Sequence, residues 1–141
     1  MHGKKLQERA AERTQELPGA ELTHPFGEDW DVYKVRDKVF MLHTDVSGEP
    51  VVILKASPAD GLSLREAFED ITPGYHMNKK HWITVHPHGG LDASFLDDLV
   101  TESYRLVVEN LPGSQRPVDP ATFGSAPVRM ERPGRGGPSL T

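Results

Sequence analysis

The residues best suited to chemistry fall in one run, Thr72-Pro73-Gly74-Tyr75-His76-Met77-Asn78-Lys79-Lys80-His81-Trp82. Lys79 and Lys80 stand between Asn78 and His81, with Tyr75, His76 and Trp82 close by in sequence. Ammonium groups meet phosphate, amide and imidazole groups donate hydrogen bonds, and aromatic rings stack on bases. A basic hairpin tip of this composition therefore has what a nucleic-acid contact needs. The plain alternative is a solvated turn, in which lysine is ordinary, Asn78 favours the left-handed conformation and Trp82 packs in a core.

Seven histidines invite a metal reading, because His76, His81, His86 and His88 lie on or just beyond the same two strand-like segments. Strand parity works against it: a turn separates His76 from His81, and His81 and His86 point to opposite faces. Zinc needs three or four converging ligands, and Asp92 is the only acid nearby in sequence. No metal site is assigned. There is no nucleophile elbow, Gly-rich phosphate loop or His-Glu-x-x-His pattern, so no catalytic residue is assigned either. Asp97–Asp98 reads as the solvated face of a helix, and Glu69–Asp70 as the end of another. With no cysteine, disulfides, thiolate zinc sites and cysteine nucleophiles are excluded.

The 141 residues suit a single domain, and 16 Lys+Arg against 21 Asp+Glu leave a net charge of −5. Before Gly113 there are 12 basic and 19 acidic residues, a net of −7. Such a body does not coat nucleic acid by bulk charge alone. The longest apolar runs, Val39–Leu42 and Val51–Leu54, hold four residues each, against about 20 for a membrane span. His2-Gly3-Lys4-Lys5 leads into Gln-Glu-Arg-Ala without the apolar stretch of a secretory signal. The expectation is a soluble, cytoplasmic protein.

The elements that would position these residues follow from periodicity. Lys4–Leu17 is rich in helix formers, carries Leu6, Ala10, Thr14 and Leu17 on one stripe, and is stopped by Pro18-Gly19. Asp31–Arg36, Lys38–Thr44 and Pro50–Ala56 are rich in Val, Ile, Tyr and Phe and are joined by short turns, which predicts three antiparallel strands. Ser57-Pro58 opens a helix to about Phe68. Ile71–Met77 and His81–Pro87 read as strands joined through Asn78-Lys79-Lys80. Asp92 caps a last helix, in which Phe95, Leu96, Leu99, Val100, Ser103, Val107 and Leu111 recur at helical spacing.

The fold class is therefore α+β, in two layers: a five-stranded antiparallel sheet with helices mainly on one face, in the order α-β-β-β-α-β-β-α. Residues 1–112 form the domain. The 29 residues from Gly113 to Thr141 include 5 Pro and 5 Gly and are expected to be an extended or disordered tail. Parity places Ile83, Val85, Phe40 and Leu42 on one sheet face, and Trp82, Thr84, His86, Val39, Met41 and His43 on the other. If helices cover the first, the second is an open apolar face that serves a partner, a second subunit or a ligand, unless helix one or the tail folds over it.

The eleven-residue run closely resembles the hallmark of the MmcQ/YjbR family of small bacterial proteins. Leu17-Pro18-Gly19, His24-Pro25-Phe26-Gly27, Val51-Val52-Ile53-Leu54-Lys55 and Ser103-Tyr104-Arg105-Leu106-Val107-Val108 also look like that family, so the likeness extends from Leu17 to Pro112. The resemblance implies a secretion-chaperone-like arrangement, similar to the double-wing domain of a phage transcription factor, and the family is often labelled DNA-binding on that basis. It implies a non-enzymatic DNA-binding or regulatory protein without a cofactor, touching DNA through the Asn78–Lys80 hairpin. Tyr75, His76, Asn78, Lys79, Lys80, His81 and Trp82 are the candidate contacts. The alternative is a chaperone-like module that holds a protein partner, or a second copy of itself, on the open sheet face.

Overall fold

Two of the three α-helices among the described residues start at side-chain caps that the sequence displays. In the computed structural model, which describes residues 1–124, Ser57 accepts a hydrogen bond from the Asp60 N–H at the start of α2 (Pro58–Ala67). Asp92 accepts one from the Phe95 N–H at the start of α3 (Ala93–Glu109). Each cap satisfies one of the backbone donors that a helix N-terminus leaves unpaired. The first helix, α1 (Lys5–Thr14), buries Leu6 and Ala10, and no side chain caps it.

The sheet is wholly antiparallel and, among the described residues, has six strands rather than the five expected: β1 (Ala20–Thr23), β2 (Asp31–Val35), β3 (Lys38–Val46), β4 (Glu49–Lys55), β5 (Ile71–Pro73) and β6 (Trp82–Val85). Their spatial order is β1-β2-β3-β4-β6-β5. The extra strand, β1, has four residues and only Thr23 among them is β-branched. It exists because β2 offers it a pairing edge, a tertiary cause that local propensity does not reveal. Arg36-Asp37 and Ser47-Gly48 form two-residue turns with all four φ angles positive, from 51° to 86°. Turns of that hand match the strand twist and fix the β2–β3 and β3–β4 registers.

The strand expected over Ile71–Met77 stops at Pro73, and the chain then leaves the sheet as a loop from Gly74 to His81. The buried Thr84 hydroxyl holds the exit point, donating to the Pro73 carbonyl and accepting from the Tyr75 N–H at 2.9 Å. A side chain of β6 thus takes over where backbone pairing ends.

A β-bulge alters the parity expected for β3. Tyr33 pairs with Met41 and Lys34 with Val39, so Phe40 is the extra residue. Phe40, Met41 and the buried His43 all face the helices, while Leu42 moves to the other face beside Val32, Val51, Ile53 and Trp82. The Ser103 hydroxyl on α3 donates to the Phe40 carbonyl and accepts from the Lys55 N–H, satisfying groups left near the bulge.

Both sheet faces are consequently cores. The larger is built from α1, α2, α3 and the inner side of the sheet. The smaller lies on the face expected to be open, where Trp30, Tyr75 and Met77 pack over Val32, Leu42, Val51, Ile53 and Trp82. Among the described residues, neither α1 nor 113–124 supplies that cover; loops 24–30 and 74–81 do.

Residues 113–124, placed by the sequence reading in the tail, pack against the helix side instead. A short 3-10 turn (Gly113–Gln115) follows α3. Arg105 donates to the Pro120 carbonyl through Nε and Nη2 at 2.8 and 2.6 Å, and Phe123 lies against Tyr104 with ring centroids 5.5 Å apart. The proline-rich composition hid this, because a few scattered side chains and arginines do the anchoring without any periodic pattern. The rest of the expected tail, 125–141, lies outside the described residues.

Candidate functional site

The loop from Gly74 to His81 is tied down at its base. The Gly74 N–H donates to the Trp82 carbonyl at 2.9 Å, Lys79 Nζ donates back to the Gly74 carbonyl, and Asn78 Oδ1 accepts from the N–H groups of Lys80 and His81. Above this base the aromatics turn inward. Tyr75 stacks on Trp30 with centroids 6.3 Å apart and planes within 10°, and His76 lies 4.2 Å from the Tyr75 ring. His76 adopts φ 60°, an unusual conformation for a residue with a side chain.

Of the seven candidate residues, Trp82 is buried and Tyr75 half-buried, so both belong to the smaller core. His76, Asn78, Lys79, Lys80 and His81 remain exposed. Two further lysines share their end of the face. Lys55, paired with Trp82 across β4 and β6, sets its ammonium 5.6 Å from the Trp82 ring centroid. Lys34, paired with Val39, projects opposite to Tyr33 and Val35 and therefore onto the same face. The sequence reading missed both. Their signal was the alternation of inward apolar and outward lysine in Tyr33-Lys34-Val35 and at Leu54-Lys55.

Five of the six described arginines are engaged internally, and Arg65 is not. Arg9, Arg13 and Arg105 pair with Asp97, Glu16 and Glu102, while Arg36 and Arg116 donate to backbone carbonyls. Among the described residues no ion pair involves Lys34, Lys55, Lys79 or Lys80. Asp97, read as solvated, is in fact clamped by both Nε and Nη2 of Arg9.

At the other end of the face, the fold gathers groups that the sequence reading kept apart. His86 Nδ1 lies 3.3 Å and His88 Nε2 2.7 Å from the two oxygens of Glu49. Asp70, expected at a helix end, is buried; one oxygen accepts the Gly90 N–H and the other faces His88 Nδ1 at 3.3 Å. Hydrogen bonds from His88 and His86 hold the Glu49 carboxyl below its ordinary range, and the bond to Glu49 raises His88. The available signal was His86-Pro87-His88, an i, i+2 pair that one strand edge presents on one face. Glu49 and Asp70 join it only through the sheet.

The conformational frame is shared with known proteins. A protein-family profile described as YjbR matches residues 15–106. The chain is 42% identical over 111 residues to "Uncharacterized protein YbdF" of Escherichia coli O157:H7, covering 79% of this chain and 91% of that one. It is 39% identical over 101 residues to "Uncharacterized protein YjbR" of Escherichia coli K12, covering 70% and 84% respectively. The crystal structure of Deinococcus radiodurans protein DR2400, described as a DUF419 domain, superposes with a TM-score of 0.69 at 34% identity, over 74% of this chain and 80% of that one. A Pseudomonas syringae protein superposes with a TM-score of 0.63 at 30% identity, over 71% and 96%. A profile match across most of the folded body, with these identities over these lengths, makes the chain a member of the YjbR family.

Proposed function

We propose that the chain is a non-enzymatic nucleic-acid-binding or regulatory domain whose contact surface is the lysine end of the smaller-core face. Lys34, Lys55, Lys79 and Lys80 would meet phosphate there, flanked by the exposed imidazoles of His76 and His81. The observation that carries this reading is the partition of charge: five of the six described arginines bond internal partners, while four lysines with no ion pair among the described residues gather at one end of a sheet face on an otherwise acidic molecule. A local cluster of that kind attracts a polyanion even when net charge does not. The buried Trp82 and stacked Tyr75 act as a platform that fixes the loop. They are not free to stack on bases.

Fluorescence anisotropy with a labelled duplex, titrated at rising salt, tests the proposal. Lys55→Ala with Lys80→Ala should weaken binding and lower the salt slope by about one for each lost phosphate contact. Lys80 is the cleaner probe of the loop, because Lys79 also ties Gly74. Absence of binding by the parent protein at low salt overturns the proposal.

A second reading, protein interaction, is favoured by one observation. On the edge strand β1 and in the loop after it, Leu22 is 49% and Phe26 68% exposed. A strand with one unpaired side and apolar neighbours accepts an added strand from a partner. The contact would then lie at this edge and not on the sheet face first considered. Binding that ignores salt and is lost in Phe26→Asp separates this reading from the first.

A further inference from the structure

The geometry points to a divalent transition-metal site, with zinc the best-fitting ion, held by Glu49, His86 Nδ1 and His88 Nε2. Their ligand atoms lie within 4.8 Å of one another. Zinc bonds of about 2.0–2.2 Å set tetrahedral ligands roughly 3.3–3.5 Å apart. His88 Nε2 lies 2.7 Å from one Glu49 oxygen and His86 Nδ1 3.3 Å from the other. Bringing ligand atoms that are at most 4.8 Å apart into that range needs side-chain shifts on the order of an ångström. Two imidazoles and a carboxylate form a donor set that suits zinc better than magnesium or calcium, and a fourth position remains for water.

The outward nitrogens of both imidazoles supply an independent argument. His86 Nε2 lies 3.0 Å from Thr72 Oγ1, and His88 Nδ1 lies 3.3 Å from Asp70 Oδ1. Each ring is thus held through one nitrogen while the other is aimed at Glu49. Metal-ligating histidines are oriented in this way by a hydroxyl or carboxylate behind them. The Asp70 support is itself fixed, since its other oxygen accepts the Gly90 N–H at 2.7 Å. A Cβ at Gly90 would sit 2.5 Å from that oxygen, so the approach requires glycine.

The sheet makes the cluster rigid. The β4–β6 register pairs Val52 with Val85 and, continued by three residues, sets Glu49 opposite His88. The His86 N–H donates to the Asp70 carbonyl at 2.8 Å, extending the β5–β6 ladder. Three adjacent strands therefore converge on one point. No Lys or Arg forms an ion pair with Glu49 or Asp70 among the described residues, so two carboxylates are left for a dication to neutralise.

Calorimetric titration of the untagged chain with zinc chloride tests the site, with cobalt as a spectroscopic substitute. One zinc per chain is expected, together with the visible bands of four-coordinate cobalt. Glu49→Gln and His88→Ala, both at accessible positions, should each weaken binding at least tenfold without altering the circular dichroism spectrum. Thr72→Val, which touches no metal, should cost about 10–100-fold through loss of ring orientation. A zinc ion on unrelated surface histidines such as His24 would not respond to that change. Absence of binding at millimolar zinc, or binding unaltered in Glu49→Gln and His88→Ala, overturns the inference.

Discussion

At Gly74 a single hydrogen atom decides whether the loop can sit on the sheet. A Cβ there would lie 2.5 Å from the Trp82 Cβ and 3.0 Å from its carbonyl group, and the Gly74 N–H is bonded to that same carbonyl. Neither side can yield without breaking the base of the loop. Gly74→Ala should destabilise the protein by about 1–3 kcal/mol, the usual cost of forced overpacking. The check is a denaturant melt followed by tryptophan fluorescence. Release of the loop should also shift emission to the red, because Trp30 and Trp82 lose their cover. His43 makes a different kind of prediction. It is buried against the Tyr33 ring, its Nε2 has no partner among the described residues, and burial lowers its pKa to about 4. Asp31 works against that lowering and Lys4 with it. The unfolded chain takes up this proton near pH 6.5 and the folded chain only near 4. Stability is therefore full above about pH 6.5 and falls as pH drops toward 4, by roughly 3 kcal/mol for this group. His43→Phe should flatten the difference between melts at pH 7.5 and pH 5; an unchanged difference would show that other groups cause it. The identities of such residues are legible in sequence, but their roles are not. Tyr75 finds its stacking partner in Trp30, 45 positions earlier, and no local pattern links them.

Among the elements, those fixed by local signals agree with the sequence reading, and those fixed by a neighbour do not. Ser57-Pro58 and Asp92 start helices by themselves, and Arg36-Asp37 turns a hairpin by itself. By contrast, β1 needs the edge of β2, the bulge at Phe40 needs the offset between β2 and β3, and the end of β5 needs the Thr84 hydroxyl. A shift of one residue moves a side chain to the opposite face. That is why Met41 and His43 belong under the helices although alternation alone puts them outside. The lysine tip was visible at once because it is contiguous, whereas the Glu49–His86–His88 cluster required three strands to be in place. Ser103 is where α3 and the bulge depend on each other. Its hydroxyl serves both the Phe40 carbonyl and the Lys55 N–H, and it is fully buried. Ser103→Ala leaves both groups without that partner, at about 1–3 kcal/mol for a buried unsatisfied group. Hydrogen exchange should show the Lys55 amide losing protection ahead of the β3–β4 centre. If Lys55 and Leu54 lose protection together and by the same factor, the bulge and α3 are not coupled through this hydroxyl.

For the molecule as a whole, the question is where the folded body ends. Composition places the boundary at Pro112-Gly113, since the following stretch alternates proline, glycine and polar residues. The structure carries the body further, at least through Phe123. Phe123 and Val118 pack against the main core, Pro120 is buried, and the Arg105 guanidinium reaches the Pro120 carbonyl while holding Glu102. From the other side, Arg36 in the β2–β3 turn donates to the Gln115 carbonyl at 2.9 Å. This segment therefore links α3 to the β2–β3 hairpin. It also covers Tyr104, whose hydroxyl donates to the Pro18 carbonyl behind α1. A chain ended after Pro112 loses these contacts together, while a chain ended after Gly124 keeps them. Burial of one large apolar side chain is worth roughly 1.5–3 kcal/mol. In a domain of this size that corresponds to a difference in melting temperature on the order of 10 °C. Phe123→Ala in the longer chain should reproduce most of the loss, which assigns it to packing on Tyr104 and not to chain length. Equal melting temperatures for the two shortened chains would place the end of the folded body at Pro112 after all.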